Sequence, residues 1–407
     1  LNKESNIRFN YILPIIMWGV LSVGVLIKGP ISIIIFGLTL ISFSIVKKNI
    51  SIFLKTKPLI GLLVACIIIL PWFLIVQESS GGLFLQKSLG EDFIPKLISQ
   101  QEGHGAYPGF YILISSFILW PIACFIPIAI LFVLDKKNNI AIQFLLCWII
   151  PYWLVLEFIP TKLVHYPLPI IPPLIMLVSA SIFFYEKKHI KYSNIKIKNI
   201  IFALSSILGL GGLIFGIAIL LMAIEFGEDK DYMVVSISII TLLLILIIFF
   251  LTLFKNFVLI YQKDAGSNLK NLFQKFKSFN LIVILSCCVY ICIFGFIIPQ
   301  LSKLYPSQSI YSKLKTIKYD TVSAIGYHEP SLVFLLKGNV ILSNPNEGAI
   351  FLAEGNNNLV LIEERELESF KSSAKNLDLI LQEISNIEGF NYSKGYKVKI
   401  YFYKTIH

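Results

Sequence analysis

Long apolar runs separated by short polar stretches fill the first three quarters of the chain. They fall at 11–27, 31–46, 59–76, 110–134, 140–159, 167–185, 199–224, 233–254 and 280–299. Most approach the roughly 20 residues that a helix needs to cross hydrocarbon, so the pattern predicts about nine membrane helices. The first two runs are divided only by Lys28-Gly29-Pro30. That break fits either a tight helical hairpin or one long kinked element. Beyond residue 300 the pattern changes. Segments 321–325, 340–342, 359–362 and 398–403 read as β-rich, while 331–336, 347–353 and 365–374 read as helical. Ser343-Asn344-Pro345-Asn346 and Asn356-Asn357-Asn358 read as turns. The expected fold is a polytopic α-helical membrane protein over 1–299, with a small C-terminal α/β extracytoplasmic domain over 300–407.

Composition strengthens that reading. Of 407 residues, 56% are hydrophobic and only 14% charged, which a soluble protein of this size cannot hide from water. The formal charge of +11 raises the question of nucleic acid, but the distribution of the lysines excludes it as a partner. They gather in alternate loops, at Lys47, Lys48, Lys55 and Lys57, at Lys136 and Lys137, at Lys187, Lys188, Lys191, Lys196 and Lys198, and from Lys255 to Lys277. The loops between hold acids instead: Glu78, Glu91, Asp92 and Glu102, then Glu225, Glu228, Asp229 and Asp231. This positive-inside pattern predicts a multi-pass protein of the inner (cytoplasmic) membrane. It puts the acidic loops, the 161–166 connection and the C-terminal domain on the periplasmic side. All six cysteines lie inside apolar runs, where buried small hydrophobes are the expected role.

Chemistry concentrates in one short connection, Pro160-Thr161-Lys162-Leu163-Val164-His165-Tyr166-Pro167-Leu168-Pro169. Prolines restrict its backbone on both sides, so a cation, an imidazole and a phenol are held at the membrane surface. Such a set suits the phosphate of a lipid carrier; it equally suits an interfacial belt that anchors helix ends. Lys28 either snorkels to the interface or faces an anionic head group. Glu157 is an ionisable residue near a helix end, functional or paired with Lys162. The largest outer loop carries Glu102-Gly103-His104, which could bind a divalent metal ion or a phosphate, although two ligands cannot complete a metal shell. In the C-terminal domain, His328 and Glu329 either shape an acceptor site or cap the helix that follows. No internal repeat of the kind found in transporters is evident.

Together, Lys28-Gly29-Pro30, Glu102-Gly103-His104 with Tyr107-Pro108-Gly109, and the Thr161–Pro169 motif resemble the GT-C membrane glycosyltransferases. The likeness is to the bacterial branch related to protein O-mannosyltransferases and the lipid A aminoarabinose transferase. The tail stretch from Gly326 to Leu336 resembles the exported domain of bacterial members. The resemblance implies a polyprenyl-phosphate-linked sugar as donor, a lipid A or protein acceptor, and transfer on the outer side of the membrane. It implies that Lys162, Tyr166, His165 and Lys28 bind the donor phosphate, and that His104, with Glu102, sits at the phosphate or an associated metal ion. Preplaced cations would stabilise the phosphate left behind by transfer. No nucleotide cofactor is implied, which fits the absence of a phosphate-cradling glycine loop.

One departure stands against these matches. The family carries its catalytic carboxylate, in an Asp-Glu type pair, in the outer loop after its first membrane helix, and no loop of this chain fits it. The chain opens on Leu1, followed by a polar lead. The expectation is therefore a chain that starts partway through the family's membrane domain and holds the donor-phosphate half of a site. Its base would come from an upstream or separately encoded N-terminal half. The alternatives are an inactive remnant or a non-enzymatic lipid-carrier transporter.

Overall fold

The computed structural model describes residues 3–95, 105–188, 194–228, 232–261, 278–355 and 357–406. The membrane helices are α1 (Lys3–Lys28), α2 (Ile31–Lys47), α3 (Pro58–Ser79), α4 (Phe110–Ile118), α5 (Ile126–Asp135), α6 (Ile140–Phe158), α7 (Ile171–Lys187), α8 (Ile195–Phe226), α9 (Tyr232–Tyr261) and α10 (Ser278–Ile291). Among the described residues, seven helices are long and apolar enough to cross a membrane, or eight if one bent pair counts as a span. The remaining apolar run of the expected nine is α2, whose 17 residues fall just short. The bent pair is the run expected as a single span at 110–134. It breaks between Phe110–Ile118 and Ile122–Asp135 by 109°. Pro121 lies at this break; a proline lacks the N–H and disfavours helix in the residue before it.

Two compact units divide the chain, Leu1–Leu213 with Ile247–Ile282, and Ile214–Leu246 with Val283–His407. The second unit thus takes in lengths of membrane helix as well as everything after 299.

In the first unit, Lys28-Gly29-Pro30 makes the tight hairpin. Gly29 takes a φ of +70°, and the Ser32 hydroxyl donates to the Leu21 carbonyl across the turn. Trp18 of α1 donates its indole N–H to the Thr56 carbonyl at 2.8 Å and lies over Gly61 of α3, where a Cβ would come within 2.2 Å of the ring. Gly211 and Gly212 on α8 likewise leave room for Ser116 and Trp120. Small residues at such crossings let helix backbones approach where no hydrophobic drive separates helix from lipid. The cysteines differ from expectation: Cys124 and Cys147 are buried, but Cys66, Cys287 and Cys288 are exposed on helix surfaces.

In the second unit, a five-stranded sheet has the order β2-β1-β3-β5-β4. Its strands are β1 (Val322–Ile325), β2 (Ile341–Ser343), β3 (Leu359–Glu363), β4 (Leu381–Asn391) and β5 (Tyr396–Thr405). The β2-β1-β3 part is parallel, and β5 and β4 add antiparallel. Four helices accompany it: α11 (Pro306–Leu314), α12 (Pro330–Leu335), α13 (Pro345–Ala353) and α14 (Leu367–Asn376). Alternation along β3 sends Leu359 and Leu361 to a core with Ile310 of α11, Leu332 of α12 and Phe402, and Val360 and Ile362 to a core with Leu352 of α13 and Phe370 of α14. The segment expected as a turn at 343–346 closes β2 and opens α13. There Asn344 and Glu347 form a reciprocal capping box. The hairpin also reaches the end of α8, where Lys397 pairs with Glu225 at 2.9 Å and Phe390 packs on Phe226.

Candidate functional site

The connection between α6 and α7 is built by what ends one helix and starts the next. α6 begins at Asn139, whose side chain accepts from the N–H groups of Ala141 and Ile142. It stops at Phe158 because Ile159 precedes Pro160 and is extended, with ψ 127°. The last helical carbonyls are then left without intrahelical partners. Lys162 turns back to them: its ammonium donates to the carbonyls of Leu156 at 2.6 Å and Glu157 at 2.7 Å. Pro172 and Pro173 stand in the first turn of α7, where missing N–H groups cost nothing.

Two phenols hold the rest of the connection. Tyr111 donates to the Leu163 carbonyl and Tyr152 to the Tyr166 carbonyl, each at 3.1 Å. Tyr111, Tyr152, Leu156 and Ile170 form a buried cluster against which Tyr166 packs. The Lys162 ammonium lies 5.4 Å from the centre of the Tyr111 ring. It is 5% exposed, and burial lowers its pKa while the nearby Glu157 pushes it back up. The returning end of the large outer loop is tied to the same place. Gly105 pairs with Thr161 in an antiparallel bridge, and Gly109 donates its N–H to Glu157 Oε2 at 2.8 Å. The other oxygen of this buried carboxylate, Oε1, has no hydrogen-bond partner among the described residues.

Of the residues picked out by sequence, Lys162, His165 and Tyr166 share this connection, and Lys28 joins them through space. His165 is exposed, with its ring edge-on to Tyr166 at a centroid distance of 5.1 Å. Partial desolvation lowers its pKa, and the charge of Lys28, also exposed, lowers it further. Lys28 and His165 are thus an exposed cation and an exposed imidazole on which its charge acts. Lys162 is turned inward, with two of its three donors already used. Glu102 and His104 lie outside the described residues. Among the described residues no three histidine, cysteine or carboxylate side chains gather as metal ligands would.

Sequence reasoning missed Tyr111, Tyr152 and Gly109. Nothing local marks a tyrosine whose hydroxyl reaches a carbonyl 52 positions along the chain, as Tyr111 does. The Tyr107-Pro108-Gly109 turn was noticed, but its use as a donor to Glu157 depends on tertiary contact. In the C-terminal domain, Glu329 is the residue before α12 yet its side chain makes no capping bond, and His328 turns its Nε2 to the Ala324 carbonyl at 3.0 Å.

The sequence matches no protein-family model and none of the curated proteins. Its fold does match solved structures. The crystal structure of ArnT from Cupriavidus metallidurans bound to undecaprenyl phosphate superposes with a TM-score of 0.62 at 12% identity. The match covers 96% of this chain and 68% of that one. The apo state of the same protein gives a TM-score of 0.58 over the same shares. The fold expected here, a polytopic helical membrane domain followed by a small C-terminal α/β domain, is the fold that this chain shares with these structures.

Proposed function

We propose that this chain is a membrane glycosyltransferase, or the C-terminal part of one, that takes a sugar from a polyprenyl-phosphate donor to a lipid or protein acceptor outside the cytoplasm. The observation that supports the reading is a fold shared with a protein solved with undecaprenyl phosphate bound, with Lys28 and His165 both exposed and the charge of Lys28 acting on the imidazole. A phosphate oxygen needs charge-assisted donors that stay in place as negative charge returns to it. Lys28 supplies the fixed cation. His165 supplies a donor that strengthens when phosphate raises its pKa, and Tyr166 stands edge-on beside it. The work of Lys162, Tyr111 and Tyr152 is to fix the backbone that presents His165.

Titration of the purified chain with undecaprenyl phosphate, read by native mass spectrometry, tests the site. Saturable binding that falls roughly tenfold or more in both Lys28→Ala and His165→Ala is expected for lost charge-assisted contacts. Binding unchanged in both variants would overturn the assignment. A lipid-carrier protein without transferase activity would share the same site. Turnover of a polyprenyl-phosphate sugar, supplied with any segment encoded upstream, separates the two.

A further inference from the structure

The C-terminal domain contains a pocket lined mainly by apolar and aromatic surface with a few polar groups. It lies between α11, the β1–α12 loop and the tip of the β4–β5 hairpin, with a cavity of about 230 Å³. This is below the roughly 300–1,000 Å³ of pockets that take drug-sized ligands, so it suits a single ring. Five aromatic side chains line it: Tyr305, Tyr327, Phe334, Phe390 and Tyr392. Phe334 and Tyr392 are 82% and 71% exposed, and folding gains nothing by displaying rings in this way.

The polar groups between these rings are already ordered. Ser307 is buried and shares hydrogen bonds with the Tyr327 hydroxyl at 3.0 Å and the Ser331 hydroxyl at 2.8 Å. Glu329 stands where a helix-capping residue would, but its carboxylate turns away. Its Oε1 accepts from Asn391 Nδ2 at 2.7 Å and from Ser393 Oγ at 3.3 Å. These two bonds hold the carboxylate in place among the residues that line the pocket.

We propose that this pocket is a saccharide subsite that takes one pyranose ring. The C–H face of a pyranose is weakly positive and lies against the negative faces of aromatic rings, as an aromatic edge does. Its hydroxyls both donate and accept. A fixed carboxylate oxygen accepts from them, and hydroxyls such as Ser331 do either. Among the described residues that line the pocket there is a carboxylate but no lysine or arginine, which disfavours a phosphate here. The site therefore reads the sugar and not the carrier, and it gives the C-terminal domain a role in holding a glycan.

The test uses the full chain in lipid nanodiscs, with methyl β-D-glucopyranoside and methyl β-D-galactopyranoside as probes at millimolar concentration. Saturation-transfer NMR is expected to show contact with the ring C–H protons of at least one of them. Affinity should fall roughly two- to tenfold in Tyr392→Ser, the range for a lost aromatic contact, and Glu329→Gln should weaken it as well. Both positions are at the surface of the pocket, and unchanged thermal unfolding of the variants confirms the fold. Saturating the protein with sugar-free undecaprenyl phosphate should leave the signal intact. No transfer to either probe, transfer unaffected by both substitutions, or loss of signal on adding undecaprenyl phosphate would each overturn the proposal.

Discussion

The Lys162 ammonium lies 2.6 Å from the carbonyl oxygen of Leu156, so the lysine of the motif ends the very helix that precedes it. Replacing Lys162 with Met keeps the stem and removes the donors. Two buried carbonyls then lose their partner, and stability should fall by about 1–3 kcal/mol. Carrier binding should weaken in the same variant because the connection loosens. The two effects separate from Lys28→Ala, which should weaken binding with no loss of stability. Thermal unfolding and undecaprenyl phosphate titration of both variants check this. A Lys162→Met variant that unfolds like the parent would remove the capping role.

Binding of the carrier should depend on pH through His165. Its pKa is lowered from 6.5, by desolvation first and by Lys28 second, so the free ring is neutral near pH 7. A bound phosphate favours the protonated ring, and affinity should rise as pH falls below 6.5. Stability without ligand runs the other way. The unfolded chain binds the proton more readily, so the stability present above 6.5 is lost as pH falls from there through the lower folded value. In His165→Gln both pH dependences attributable to this group should disappear. Titrations at several pH values, with and without the lipid, read both signs.

Glu157 should matter as an acceptor more than as a charge. Its Oε2 holds the Gly109 N–H, and among the described residues its Oε1 has no partner to lose. Glu157→Gln keeps a carbonyl oxygen for Gly109 and should stay within about 0.5 kcal/mol of the parent. Glu157→Leu strands the Gly109 N–H and should cost about 1–3 kcal/mol. Thermal unfolding separates the two; equal losses would make the charge itself the stabilising feature.

Much of this architecture was legible because lipid imposes a simple pattern. Apolar length alone located α3, α6, α8 and α9, and the change in pattern near residue 300 marked the sheet. The break at Pro121 was not foreseen, since an apolar run looks the same straight or bent. The strand β4 was missed outright. Its Glu383, Ser385, Asn386 and Glu388 sit on an exposed edge with a bulge between Glu383 and Ser385, so no alternating apolar face announces it. In the Thr161–Pro169 motif, the direction of the side chains was not legible. Lys162 reads as a phosphate ligand until the carbonyls left by Pro160 are counted.

The close approach of the turn after β1 to the end of β3 depends on Gly326. It follows β1 with a φ of +79°, a conformation that side chains resist. A Cβ there would lie 2.9 Å from Glu366 Cγ and 3.0 Å from Glu363 Cβ, on the chain that leaves β3. Glu363 cannot easily yield, because it is buried and held by Arg365 through Nε at 2.7 Å and Nη2 at 3.0 Å. Gly326→Ala should therefore cost roughly 1–3 kcal/mol, from backbone strain and contact together. The loss should appear in unfolding of the C-terminal domain, followed by hydrogen exchange at β1 and β3 of the full chain. Carrier binding at Lys28 and His165 should be untouched. A Gly326→Ala variant with unchanged exchange would mean that the β1 turn can relax without disturbing Glu363.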